Sequence, residues 1–146
     1  MPTALLDVNV LVALFDAGHP HHEAAHRWFK ANRSGGWATC AVTINGCARV
    51  LSNPSYPGVE TTTPEVIRRL DHLCHAKDHQ FWAKGISLAD EERFQRNLTG
   101  PHDKITDIYL LGMAVAHRGY LVTLDRKIPL GAVVAAEEKH LTVLRG

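Results

Sequence analysis

Three aspartates stand at places in the sequence where an element ends or begins: Asp7, Asp107 and Asp125. Asp7 interrupts an apolar run, T-A-L-L-D-V-N-V-L-V-A-L-F from Thr3 to Phe15, together with Asn9. A carboxylate buried without partners is costly and tends to take up a proton. Asp125 closes a second apolar run, Tyr120 to Leu124, and Asp107 lies near the start of the helix that leads into it. If the three meet, their like charges repel and call for a cation. Hard oxygen donors favour Mg²⁺, or Mn²⁺, over zinc. Each aspartate also has an ordinary reading: Asp7 as a helix cap, Asp125 as a turn former, Asp107 as an acid at a helix N-terminus.

The elements that would position them follow from hydrophobic periodicity. Strands are predicted over Thr3–Leu6, Trp37–Val42, Phe81–Ile86, Tyr120–Leu124 and Leu141–Leu144. Helices are predicted over Val8–Phe15, His22–Ala31, Ile44–Leu51, Thr63 to about Ala76, and Asp103–His117. Thr63 reads as a cap before Pro64, Ser87 with Asp90 as the cap of a further short helix, and Gly119 as a helix stop. Short apolar strands alternating with helices indicate an α/β domain with a central parallel sheet flanked by helices. Sites in such sheets lie beyond the carboxyl ends of the strands, where Asp7 and Asp125 fall. Residues 1–146 read as one domain, without repeat or linker.

Composition narrows the function. With 45% hydrophobic and 21% charged residues the chain is globular, and its net charge of +1 gives no general basic coat for nucleic acid. Any RNA-binding charge must be local. Cys40, Cys47 and Cys74 include no C-x-x-C and suit reduced thiols of a cytoplasmic protein. Neither a signal peptide nor a membrane-spanning run is expected.

Ten histidines invite a test as zinc ligands. His22-Glu23-Ala24-Ala25-His26 matches H-E-x-x-H literally, and His75 and His79 share the i, i+4 spacing. A short helix near the N-terminus with no clear third ligand argues against a zinc protease. The strand followed by D-x-D of haloacid-dehalogenase phosphatases is broken at Asn9, which cannot serve as a general acid.

Three segments together resemble one family. L-L-D-V-N-V-L-V-A-L at Leu5–Leu14 is similar to the opening of PIN-domain proteins. N-G-C-A-R-V-L-S-N-P at Asn45–Pro54 resembles a segment of a subgroup of VapC-like toxins, and T-D-I-Y-L-L-G-M-A-V-A-H-R-G-Y-L-V-T-L-D at Thr106–Asp125 resembles that subgroup's last two acidic motifs. The resemblance implies a metal-dependent endoribonuclease, the homodimeric toxin of a toxin–antitoxin pair. It carries Asp7, Asp107 and Asp125 onto three of four acidic positions, with Mg²⁺ or Mn²⁺ at Asp7 and Asp107. The remaining acid, usually Glu, is replaced by Asn45, so the site should hold fewer metals, or the second more weakly. The expected reaction is attack by metal-activated water on an RNA phosphodiester, leaving a 5′-phosphate and a 3′-hydroxyl. Asn9 would support Asp7 or serve only in helix-start hydrogen bonding, and Thr123 would position its neighbouring aspartate. Arg49, one helical turn after Asn45, would contact a phosphate, orient a carboxylate or form a structural ion pair. A small antitoxin is expected to lie in apolar grooves near the N-terminal helices and direct an Arg or Lys at the carboxylates. The alternative is a catalytically weakened module that only binds RNA or protein.

Overall fold

The computed structural model describes residues 2–98 and 100–145. Among these, β1 (Ala4–Leu6), β2 (Trp37–Thr39), β3 (His79–Phe81), β4 (Tyr120–Thr123) and β5 (Leu141–Val143) form one parallel sheet in the order β3-β2-β1-β4-β5. The helices are α1 (Val8–Phe15), α2 (His22–Asn32), α3 (Ala41–Ser52), α4 (Thr63–Cys74) and α5 (Ile105–Ala116). β1 is central and none of its side chains reaches solvent, which is why its sequence is continuously apolar rather than alternating. The pleat divides it between two cores. Ala4 and Leu6 join the core built with α1 to α4, while Leu5 joins the one formed with α5.

The expected α/β architecture is present, with α1 in its expected place and the other boundaries shifted in ways the contacts explain. β2 stops at Thr39 rather than Val42 because Thr43 Oγ1 accepts the Cys40 N–H at 2.9 Å and starts α3 early. The cap of α4 is Thr62, whose hydroxyl accepts from the Glu65 N–H, and Thr63 is already helical. β3 comes earlier than Phe81–Ile86, and the segment after it has no helix at Ser87; Ser87 and Asp90 shape turns instead. α5 begins at Ile105, after a 3-10 turn over His102–Lys104.

Gly119 is not the left-handed residue after α5; Arg118 is, at φ 59°. Gly119 is needed for another reason. A Cβ there would lie 2.2 Å from the Thr3 carbonyl oxygen, where β4 enters the sheet beside β1. At the same, amino-terminal edge of the sheet, Asp78 accepts two hydrogen bonds from Arg33 and one from the Trp37 indole. The Arg33 bond holds the Asp78 carboxyl below the usual carboxylate range against the effect of burial.

Candidate active site

β1 ends at Leu6 and the chain turns directly into α1, so Asp7 is both the residue beyond the strand and the helix cap. Its side chain is 2% exposed. Asp7 Oδ1 accepts the Val8 N–H at 2.7 Å, and Oδ2 accepts the Thr123 hydroxyl at 2.6 Å. Thr123, the last residue of β4 and fully buried, is the joint of the site. Its oxygen also receives Asn9 Nδ2 at 3.3 Å and the Asp125 N–H at 3.1 Å, while Asn9 Oδ1 accepts the Leu124 N–H at 3.2 Å. Adjacent ends of β1 and β4 are thus tied by side chains as well as by the ladder.

Asp107 enters from the first turn of α5 and hydrogen-bonds Asp125. Burial, the charge of Asp7 and the bond to Asp125 together push its carboxyl up to about 7. Burial also raises Asp7, against the hydrogen bonds from Thr123 and Val8. Asp125 goes the other way. Burial would raise it, but Lys104, whose ammonium donates to Oδ2 at 2.6 Å, and the Lys127 N–H on Oδ1 at 2.9 Å hold it low.

The acids border an open cleft of about 710 Å³ lined by Asp7, Asn9, Thr106 and Asp107 on one side. Asn45 and Arg49 of α3, with His19 and Tyr56 from loops, also line it. Asp125 does not line it. Asn45 and Arg49 are exposed, and among the described residues Arg49 is in no ion pair, so the structural reading of that arginine finds no partner. Tyr56 donates its hydroxyl to Asp16 at 2.6 Å, which fixes the loop after α3 to the end of α1.

All seven residues singled out in the sequence (Asp7, Asn9, Asn45, Arg49, Asp107, Thr123 and Asp125) therefore belong to this cleft or to the network beneath it. Sequence reasoning missed Lys104, His19 and Tyr56. Only Lys104 left a signal, a lysine three positions before Asp107 at a predicted helix start.

Gly46 sets the distance between the cleft's walls. A Cβ at this position would lie 2.5 Å from a methyl of Val8, the residue after Asp7. Gly46→Ala should therefore push α3 from α1 and cost about 1–3 kcal/mol, the usual range for overpacking. Thermal unfolding measures this, and an unchanged midpoint would mean that the helices separate freely.

The donors suit a small hard cation. Mg²⁺ characteristically takes one or two carboxylates and keeps several waters, which Asp7 and Asp107 can supply beside an open cleft. Burial, with like charge beside it, already loads these two carboxyls toward protonation, the state that a divalent cation relieves. Among the described residues no three His, Cys, Asp or Glu side chains form a ready ligand set. The histidines do not either. His22 Nδ1 is bonded to the Ala13 carbonyl, and His75 and His79 fall on different elements, one capping α4 and the other in β3.

Comparison with known proteins places this geometry in context. The PIN domain family model matches residues 4–132. Ribonuclease VapC44 of Mycobacterium tuberculosis is 43% identical over 141 residues, covering 97% of this chain and 99% of that protein. Ribonuclease VapC39 of the same organism is 41% identical over 123 residues, covering 84% of this chain and 88% of its own. Among solved structures, the crystal structure of M. tuberculosis VapC20, described as a sarcin-ricin loop cleaving toxin, superposes with a TM-score of 0.58 at 11% identity. The match covers 80% of this chain and 85% of that one, and it shows a shared fold.

Proposed function

The chain belongs to the PIN-domain family, and from that premise we propose that it is a Mg²⁺-dependent endoribonuclease, the toxin of a VapBC-type toxin–antitoxin pair. The observation that carries the reading is the meeting of Asp7, Asp107 and Asp125, from three distant parts of the chain, at the carboxyl ends of the central strands. Asp7 and Asp107 hold the cation. Mg²⁺, or Mn²⁺, bound there supplies Lewis acidity toward the scissile phosphate and an acidified water for in-line attack.

The chain's own residues do the rest. Thr123 and Asn9 fix the direction of Asp7, so that its oxygens are placed before substrate arrives. Arg49, exposed on the cleft and free of ion pairs among the described residues, offers a forked donor to a phosphate oxygen of the RNA backbone. The net charge of +1 makes such local contacts the main electrostatic hold on RNA. Water as nucleophile leaves the 2′-hydroxyl unused and gives a 5′-phosphate and a 3′-hydroxyl.

The protein so described works in the cytoplasm as a homodimer, held inactive by a small antitoxin that presents a basic side chain to the acids. Among the described residues no helix is long and apolar enough to cross a membrane. Asn45, a neutral group on the cleft where the family has an acid, favours one other reading: a weakened module that binds RNA without cutting it.

Expression in a bacterial host separates the two. Production of the chain alone should arrest growth, and co-expression of its small gene neighbour should restore it and yield a co-purifying complex. The purified chain should cleave RNA with Mg²⁺ and lose that activity in EDTA. Metal-independent RNA binding without cleavage would establish the binding module instead.

A further inference from the structure

Lys104 is a full positive charge inside an acidic site, and none of the steps above uses it. Its ammonium lies 2.6 Å from Asp125 Oδ2, and the two side chains are only 21% and 20% exposed. The backbone beneath it is fixed, since Lys104 ends a 3-10 turn, donates its N–H to the Pro101 carbonyl at 3.0 Å and leads directly into α5. Asp107 follows one turn later on that helix. The other oxygen of Asp125 accepts the Lys127 N–H at 2.9 Å. Both oxygens of Asp125 are therefore engaged, one of them by a formal cation, and Asp125 does not line the open cleft.

Charge counting gives this pair a role. Three carboxylates and one ammonium leave two negative charges, which a single divalent cation neutralises. A fourth carboxylate would leave three and favour a second metal, but the α3 wall offers Asn45, which is neutral. Lysine suits such a place, because its ammonium is a compact point charge with three donors. Among the described residues one of those donors is used, toward Asp125.

We propose that Lys104 is the resident second cation of the site: it holds Asp125 where a second divalent ion would otherwise sit, and the centre takes one metal, at Asp7 and Asp107. This rests on the metal-nuclease reading. Lys104 is then a positioning residue. It keeps Asp125 directed at Asp107, and through that carboxylate sets the metal's surroundings without ligating the metal.

Mn²⁺ titration followed by electron paramagnetic resonance, without RNA, tests this apart from catalysis. The wild-type chain should bind one Mn²⁺. Lys104→Ala should bind a second, weaker ion, and Lys104→Arg should return the count to one. Lys104→Met, which keeps the aliphatic stem, repeats the measurement if the alanine variant does not fold. Two ions on the wild-type chain, or one ion of unchanged affinity on both Lys104→Ala and Lys104→Met, overturns the proposal.

In RNA cleavage, Lys104→Ala should lose about tenfold or more at low Mg²⁺ and recover as Mg²⁺ rises, with the kinetic order in metal moving from one toward two. Faster cleavage by Lys104→Ala at every Mg²⁺ concentration would make Lys104 an inhibitor and also overturn it. If no variant cleaves RNA, the nuclease reading fails, while the Mn²⁺ count still decides the role of Lys104.

Discussion

Asp107→Asn is expected to abolish RNA cleavage while raising the melting temperature of the metal-free protein. The two effects share a cause. Asp107 is partly buried, next to Asp7 and Asp125, and its carboxyl is raised to about 7. Its ionisation in the folded protein is therefore unfavourable unless a cation is present. An acid whose folded pKa lies above its unfolded value stabilises the fold below the unfolded value, and that stability is lost as pH rises toward about 7. Asparagine removes this penalty together with the ligand. The rate should fall by a factor on the order of 10³, as for other preorganised electrostatic groups, while the midpoint at pH 8 without metal rises by a few degrees.

Metal binding to the wild-type chain should release a proton. Its apparent Mn²⁺ affinity should fall about tenfold per pH unit below about 7 and level off above it. Asp7→Asn should lose cleavage to a similar extent with the fold retained, because asparagine caps helices as well as aspartate does. A folded Asp7→Asn or Asp107→Asn variant cleaving at the wild-type rate would remove these residues from the metal site.

Thr123→Val is the second large effect. Valine matches threonine in shape, so packing is nearly unchanged and the hydroxyl alone is lost. That hydroxyl donates to Asp7 and accepts from Asn9 and from the Asp125 backbone. Removing it leaves a buried carboxylate one donor short and two N–H donors without their acceptor. Each such group costs about 1–3 kcal/mol and the costs do not add fully, so a loss of about 3 kcal/mol is expected. In a chain of this size that lowers the melting temperature by roughly 10 °C. Cleavage should fall at least tenfold at temperatures where the variant is folded, because Asp7 and Asp125 lose their common anchor. Thr123→Ser, which restores the hydroxyl, should recover most of the rate. A destabilised valine variant with unchanged turnover would leave Thr123 a purely structural role.

The acids were legible in the sequence because each stands where an element changes. Asp7 interrupts an apolar run, Asp125 closes one, and Asp107 sits in the first turn of a helix. The order of strands and helices was legible for the same reason, since buried strands and amphipathic helices leave different periodicities. The boundary at Val42 was not. Val42, β-branched after an apolar run, reads as strand, yet the next residue, Thr43, turns back to bond Cys40 within a helix that has already begun. His19 and Tyr56 were missed because loops bring them to the cleft, and Lys104 because a 3-10 turn brings it to Asp125; no periodicity records where a loop returns. The cost of a side chain at Gly46 or Gly119 is likewise visible only once the facing element is known.

The bond between Thr123 and Asp7 joins residues 116 positions apart, across adjacent strands. Contacts of such separation form late, after the entropy of closing the intervening chain has been spent. The order of synthesis adds to this delay. β1 and α1 are made first, but the strand that orients their aspartate and the second and third acids all come from beyond residue 104. A nascent or truncated chain that ends before α5 holds only Asp7, with neither the hydroxyl that aims it nor the carboxylates that share its cation. The hazard of a nuclease is thus withheld by topology until most of the sheet has closed, before any partner has to restrain it.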